Sequence, residues 1–178
     1  MHRAICVLLP AFCILIGSCS QKYVGHSAMD SGFDVRRTYT VAVMPLLVRS
    51  SGVGLDAPEW DQVYGFLTRR LMETGKLRAT DKTTIDRAVS LHGFGQQGTV
   101  SRAKARAIGK ELAADLVCLA ELNTDQASIV TATVDILDVN SSTTVYSGSA
   151  RGTNPVSAIA AAQYALEQAT EMLVQKMR

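Results

Sequence analysis

Apolar residues recur along this chain with two alternating periods, which predict strands and helices in turn. The nearly continuous β-branched and apolar run over residues 38–47 is typical of a strand covered on both faces. After a loop rich in Ser and Gly, apolar residues at helical spacing predict a helix over residues 57–74. Asp56 is expected to cap its first turn, and Gly75 is expected to end it.

The middle of the chain repeats this alternation. A short strand over residues 76–80 is followed by a helix for which Thr83 is the expected cap. The next apolar positions predict a third helix over residues 100–113, which leads into a buried strand over residues 115–121. Helices that alternate with strands in this way favour layers of helices packed on one sheet.

The clearest pattern is a β-hairpin in the second half of the chain. Residues 129–138 alternate apolar side chains with Thr and Asp, turn at residues 140–142, and return over residues 143–149. One face of this hairpin therefore meets water or a partner. Asn154 as cap and Pro155 at the first position predict a last helix. The fold class predicted is α/β, a three-layer-like sandwich of about five mixed strands and four helices.

The N-terminal part of the chain has a different pattern. Arg3 precedes an apolar run from Ala4 to Ile16, which is the layout of a secretory signal peptide and is shorter than the ~20 residues that a spanning helix needs. Polar and small residues follow without any apolar period and predict a flexible tether. The predicted organisation is a signal peptide over residues 1–18, a tether over residues 19–37 and one domain over residues 38–178.

The signal segment ends in a motif that implies a lipid anchor. Ile16, Gly17 and Ser18 stand directly before Cys19, and these four residues resemble the bacterial lipobox. The resemblance implies that a signal peptidase recognises Ile16, Gly17 and Ser18 and cuts before Cys19, whose thiol carries diacylglycerol and whose amino group is acylated. Two or three acyl chains hold a protein firmly at a bilayer. Ser20 after the cysteine resembles lipoproteins of the outer membrane, which implies a periplasm-facing domain.

Charge along the chain argues against a nucleic-acid partner. The formal net charge is +2, and basic and acidic residues are mixed rather than concentrated on one face. The densest basic residues are Arg102, Lys104, Arg106 and Lys110, which alternate with apolar residues. That alternation is typical of the solvated side of an amphipathic helix.

Residues that carry out catalysis are sparse in the predicted domain. His92 has no second His or Cys at metal-ligand spacing, and Asp135 and Asp138 stand three apart in a strand, on opposite faces. The segment Gly93–Gly98 spells GxGxxG, but it follows a helix instead of a strand, so we interpret it as a loop. Cys118 lies in an apolar run and is expected to be a buried small hydrophobe. We predict no catalytic residue, no metal site and no cofactor apart from the covalent lipid on Cys19.

Five blocks of the predicted domain look like the successive blocks of one superfamily. They are Val41–Pro45, Leu71–Leu77, Ile108–Val117, Val134–Val139 and Val145–Gly148. The superfamily contains the curli-secretion lipoprotein CsgG, the lipoprotein activators of penicillin-binding proteins and the N-terminal domain of TolB. The resemblance implies a fold like that of CsgG and the TolB N-terminal domain.

The function expected from these features is that of a noncatalytic, lipid-anchored envelope protein. It would dock on or assemble with other envelope proteins, in envelope assembly or in regulation of a cell-wall synthase. Two alternatives stay open: an accessory subunit of an outer-membrane secretion complex, and, as a lesser one, a nucleotide-handling enzyme that uses Gly93–Gly98. Partners are then the membrane, other envelope proteins and further copies of the chain. The surfaces of interest are the loop Arg49–Asp56 and the wet face of the hairpin.

Overall fold

The computed structural model describes residues 25–50, 57–93, 101–126 and 129–178. Within these ranges the chain forms one mixed sheet of seven strands and four helices. The strands are β1 (His26–Met29), β2 (Tyr39–Val43), β3 (Leu47–Ser50), β4 (Leu77–Ala79), β5 (Leu116–Gln126), β6 (Ile129–Asp138) and β7 (Thr144–Thr153). The helices are α1 (Ala57–Met72), α2 (Lys82–His92), α3 (Arg102–Glu111) and α4 (Ala158–Met177). The predicted α/β class is confirmed, with two more strands than expected.

The sheet runs in the order β1-β7-β6-β5-β2-β4. Strands β5, β6 and β7 form an antiparallel meander, whereas β2 pairs in parallel with both β4 and β5. Strand β3 lies beside the second half of β5, where Leu47 pairs with Glu121. The single strand expected over residues 38–47 is therefore two. Pro45 stands between them and has no N–H to donate, so the ladder is interrupted there.

Helices α1 and α4 cover one face of the sheet and form the larger core. Buried Leu67 of α1 and Leu166 and Leu173 of α4 belong to this cluster. The strand residues that meet them recur at every second position: Leu116, Cys118, Ala120 and Leu122 in β5, and Val130, Ala132, Val134 and Ile136 in β6. Because side chains alternate across a strand, this period of two commits one whole face of the meander to the core.

Two glycines of β7 let α4 lie unusually close to the sheet. A Cβ atom on Gly148 would lie 2.0 Å from the carbonyl oxygen of Ala169. A Cβ atom on Gly152 would lie 2.0 Å from that of Ala161. Any larger residue would push the helix away, so glycine is required at both positions.

The other face of the sheet is covered only in part. Ile85 of α2 and Ala105 and Ile108 of α3 pack on Val117, near the beginning of β5, and on β2. The helix α3 comes close because Gly109 has no side chain: its Cβ would lie 2.5 Å from Cγ2 of Val117. The rest of this face, over β6 and β7, carries no helix in the ranges that the structure describes.

The start of α2 differs by two residues from the prediction. The N-cap is Asp81 and not Thr83, and its carboxylate accepts a hydrogen bond from the backbone N–H of Thr84 at 3.1 Å. The hydroxyl group of Thr83 instead donates a hydrogen bond to the carboxylate of Asp81. The helix ends at Gly93, which has a φ of 59° in the left-handed region. The prediction that Gly93 follows a helix is thus confirmed.

The start of α4 also lies later than predicted. Asn154 does not cap the helix; its side-chain oxygen accepts hydrogen bonds from the N–H groups of Val156 at 2.9 Å and Ser157 at 3.0 Å. In such an Asx turn the side-chain oxygen binds N–H groups of the turn, so it is not used to cap a helix. Ser157 is the cap, and its hydroxyl oxygen accepts from the N–H of Ala160 at 3.2 Å. The cap expected at Asp56 lies outside the described residues.

The fold begins before the expected domain start at Thr38. Strand β1 lies inside the stretch assigned to a tether and pairs with β7 along its whole length. The following turn is also packed, since the ring of Phe33 stacks on Tyr39 at 4.9 Å and Arg37 pairs with Asp115 at 3.1 Å. This edge strand has only four residues, three of them exposed, and so no apolar period, which is why the sequence pattern missed it.

Candidate functional site

Side chains of the meander that point away from α1 and α4 form a polar surface, which we call the open face. Its members occupy matched positions in neighbouring strands: Leu119, Glu121 and Asn123 in β5, Thr131, Thr133 and Asp135 in β6, and Ser147, Ser149 and Arg151 in β7. Leu47 and Arg49 of β3 extend the same rows. The expected wet face of the hairpin is this surface. Antiparallel sheets commonly have one solvated face, so its side chains decide what it can bind.

Hydroxyl groups and charges run across the open face in rows. Glu121, Thr133 and Ser149 stand in one row of the sheet, and the hydroxyl oxygens of Thr133 and Ser149 are hydrogen-bonded at 3.3 Å. From the neighbouring row, Arg49 of β3 reaches across, so that its Nε lies 2.6 Å from Oε1 of Glu121. Both of these charged side chains are about half exposed, so their pair adds little to stability and stays available to a partner.

Asp135 of the open face accepts hydrogen bonds from two side chains. Its Oδ1 atom accepts a hydrogen bond from the Ser147 hydroxyl at 2.6 Å, and its Oδ2 atom accepts one from Nη2 of Arg102 at 2.8 Å. Arg102 reaches this strand from the first turn of α3 and also donates to the hydroxyl of Thr144 at 3.3 Å. Within the part of the chain that the structure describes, the Ser147 hydroxyl has a carboxylate partner and Asp135 links it to Arg102, so the cluster holds one acidic and one basic group in fixed positions.

A shallow depression of about 190 Å³ lies beside this cluster. Its walls are Leu47 from β3, residues 119–121 of β5, Thr133 and Asp135 of β6, and Arg102. The lining combines the apolar side chains of Leu47 and Leu119 with charged groups, a combination that suits a polar side chain of another protein.

The basic residues of α3 lie on its exposed side, as the sequence predicts, except for Arg106, which is half-buried. Arg102 binds Asp135, and Nε of Arg106 donates to the carbonyl oxygen of Val139 at 2.7 Å. Lys104 and Lys110 are exposed as expected. The Arg102 contact joins residues 33 apart in the chain, which no local pattern reveals.

A second, smaller groove of about 150 Å³ lies where α1 and α2 begin. Trp60 and Tyr64 form one wall, and Nζ of Lys82 lies 5.4 Å from the centre of the Tyr64 ring. The same ammonium group is 2.7 Å from Oδ2 of Asp86 and 3.7 Å from Oδ1 of Asp61. The chain's own lysine therefore fills the position that a cation would take in this groove.

Several predicted site residues lie outside the described ranges. They include Cys19 and its recognition residues Ile16, Gly17 and Ser18. Of the loop Arg49–Asp56, the structure describes only the last two residues of β3. Of Gly93–Gly98 it describes Gly93 alone, so nucleotide binding by that loop stays untested.

The remaining candidates have structural partners. Nε2 of His92 lies 2.7 Å from Oε2 of Glu111, which links the end of α2 to α3. Asp138 accepts hydrogen bonds from the N–H groups of Asn140 and Ser141 and so shapes the hairpin turn. Cys118 is a fully buried free cysteine, as predicted, and burial raises the pKa of its thiol to about 12. Among the described residues, no group of acids, His and Cys is arranged to hold a metal ion.

No protein-family model matches the chain, and a comparison with curated protein sequences finds no match. Solved structures do match. The LpoB C-terminal domain from Salmonella enterica is 18% identical over 70% of this chain and 87% of its own, with a TM-score of 0.55. The PelC dodecamer from Paraburkholderia phytofirmans is 15% identical over 86% of this chain and 99% of its own, with a TM-score of 0.56. The LpoB C-terminal domain from Escherichia coli is 19% identical over 71% and 90%, with a TM-score of 0.53.

At these identities the likeness shows the fold alone. It supports a fold like that of the LpoB C-terminal domain, and not like that of CsgG in particular. Within the described ranges, none of the helices combines the length and apolar character needed to span a bilayer.

Proposed function

We propose that this protein is a noncatalytic, lipid-anchored envelope protein that docks through its open face on another envelope protein. The sheet carries this proposal. One face is buried under α1 and α4, while the described residues leave the other face uncovered over β6 and β7, with its polar side chains held in register. A rigid strand scaffold holds such side chains in position more firmly than a loop would.

The chemistry of the open face favours a partner protein with a polar surface. Acidic Glu121 and Asp135 alternate with basic Arg49 and Arg102, and hydroxyl groups fill the rows between them. Both charge signs are present within a few residues, so a polyanion or a polycation would meet repulsion as well as attraction. A folded partner whose charges mirror this arrangement would meet both signs favourably.

The anchor in this proposal is Cys19. The lipobox-like residues support it, and Ser20 after the cysteine supports the outer membrane with the domain facing the periplasm. Envelope assembly or regulation of a cell-wall synthase is the role that the sequence resemblance implies, and the LpoB-like fold is compatible with it.

A second candidate is assembly of several copies within a secretion complex. It is favoured by the PelC match, which covers nearly the whole of that chain and is a dodecamer. In this case the partner of one chain is another copy of itself.

Site-specific photo-crosslinking in the native membrane tests the docking surface. A photoreactive residue in place of Thr131, on the open face, is expected to give an adduct with another envelope protein. The matched control is the same residue in place of Ser90, which is exposed on α2 away from the open face. A ladder of self-adducts from position 131 would favour the assembly alternative.

Equal adducts from both positions, or none from position 131, would overturn docking through the open face.

Metabolic lipid labelling tests the anchor separately. Wild-type protein is expected to take up label and Cys19→Ala to lose it, and unchanged labelling of Cys19→Ala would contradict the lipobox assignment.

A further inference from the structure

The direction in which the chain enters the fold is set by β1. Strand β1 is antiparallel to β7, and from Met29 back to His26 its partners change from Tyr146 to Ser149. Toward its N-terminus, β1 therefore points to the end of the sheet where Ile129 pairs with Thr153. We call this the anchor-proximal end.

The reach of the N-terminal segment limits which part of the domain can approach a membrane at Cys19. Cys19 precedes Gly25 by six residues, which span at most ~20 Å when fully extended. Gly25 lies next to Ala150. At 3.3–3.4 Å per residue, Thr153 is ~10 Å further along β7, whereas Thr144 at the opposite end is ~20 Å away. Reaching the opposite end would use the whole segment, but reaching the anchor-proximal end would not.

The anchor-proximal end presents an exposed apolar side chain. Val156, in the turn between β7 and α4, is 92% exposed. Its turn has no charged residue and is held by the Asn154 side chain, which accepts from the N–H groups of Val156 and Ser157. The valine is thus fixed outward in a rigid, uncharged turn, where contact with lipid would remove its apolar surface from water.

We propose that the anchor-proximal end, with Val156 at its tip, rests on the lipid bilayer that holds Cys19. This inference depends on the lipid anchor of the proposed function and adds an orientation to it. In this orientation the strands run away from the membrane. The open face then points sideways, where a partner in the periplasm can approach it.

Fluorescence quenching by spin-labelled lipids tests this orientation. Lipidated full-length Val156→Cys and Leu91→Cys, each with an environment-sensitive fluorophore, are reconstituted in vesicles of phosphatidylethanolamine and phosphatidylglycerol. Leu91 is a matched apolar control, since it is 73% exposed and lies beside Glu111. Glu111 is the last residue of α3, which leads into β5 at the opposite end of the sheet. Cys118 is fully buried and does not compete for the label. We expect a blue shift and several-fold stronger quenching at position 156 than at position 91.

A third labelled variant, Tyr164→Cys, tests a side-on orientation. Tyr164 lies on α4 one turn before Gln168, whose carbonyl oxygen is near Gly25. Quenching at position 164 without quenching at position 156 would overturn the proposal, as would equal quenching at all three positions.

Flotation of the same vesicles separates the two hypotheses. Protein that floats with the vesicles but shows no quenching at position 156 would refute the orientation and leave the anchor intact. Protein that does not float would refute the lipid anchor of the proposed function and the orientation together.

Discussion

Cys118 shows how far a single residue can be understood from its neighbours in the sequence. It stands in the run Leu116–Ala120, and the structure places it in the larger core with no exposed surface. Burial disfavours the thiolate, which raises the pKa from 9.0 to about 12. A thiol with so high a pKa is unreactive at neutral pH.

The buried thiol makes stability depend on alkaline pH. Above pH 9.0 the unfolded chain loses the Cys118 proton while the folded chain keeps it, so the free energy of unfolding should fall as pH rises toward about 12. One such group changes it by up to ~1.4 kcal/mol per pH unit. Urea unfolding of the wild type and Cys118→Ala on either side of pH 9.0 checks this.

Cys118→Ala is expected to show a flatter decline between pH 9.0 and pH 10.0, above which the unfolded chain also loses the proton of Tyr146. Burial also raises the pKa of that tyrosine, from 10.0 to about 12. Identical slopes for the two proteins just above pH 9.0 would contradict the assignment to Cys118.

At the scale of elements, the contact between α4 and β7 depends on backbone atoms rather than on side chains. Gly148 and Gly152 stand where a Cβ would meet carbonyl groups of the helix, which cannot move aside as a side-chain tip can. Gly65 in α1 is the contrast, because a Cβ there would meet nothing within 4 Å.

Alanine substitutions at two glycines are therefore expected to act in opposite directions. Gly148→Ala should lower the free energy of unfolding by ~1–3 kcal/mol or more, since the helix must shift. Gly65→Ala should raise it by ~0.5–1 kcal/mol, since alanine favours an open helical position. Denaturant unfolding of both variants checks this, and a loss of stability in Gly65→Ala would show that the position is not free.

Local patterns predicted the elements in which the apolar pattern repeats over many residues. The alternation over residues 129–138 was enough to place a hairpin. The helical spacing before Gly75 and Gly93 was enough to place two helices and the glycines that follow their C-terminal ends. The pattern failed where the decisive contact is local but polar, as at Asp81, or distant, as between Arg102 and Asp135. The open face could be anticipated from the polar half of the alternation, but its charge cluster could not.

At the scale of the whole molecule, β1 and the turn after it belong to the fold. Removing them would expose the edge of β7, delete the stack of Phe33 on Tyr39 and leave Asp115 without Arg37. An uncovered strand edge offers unpaired N–H and C=O groups to other chains.

A shortened chain that begins at Thr38 is therefore expected to be less stable than one that begins at Gly25, by roughly 2 kcal/mol. It should also self-associate more strongly. Denaturant unfolding and light scattering on the two chains check this. Equal stability and equal scattering would show that residues 25–37 are a tether after all.

The pairing of β1 with β7 also has a consequence for the order of events during synthesis. More than ~100 residues separate the two strands, and at ~5–20 residues per second their synthesis is on the order of ten seconds apart. The first strand cannot join the sheet until the penultimate element exists, whereas the neighbouring strands β5, β6 and β7 can zip together locally. Residues 26–29 therefore stay without their partner strand in the sheet throughout that delay.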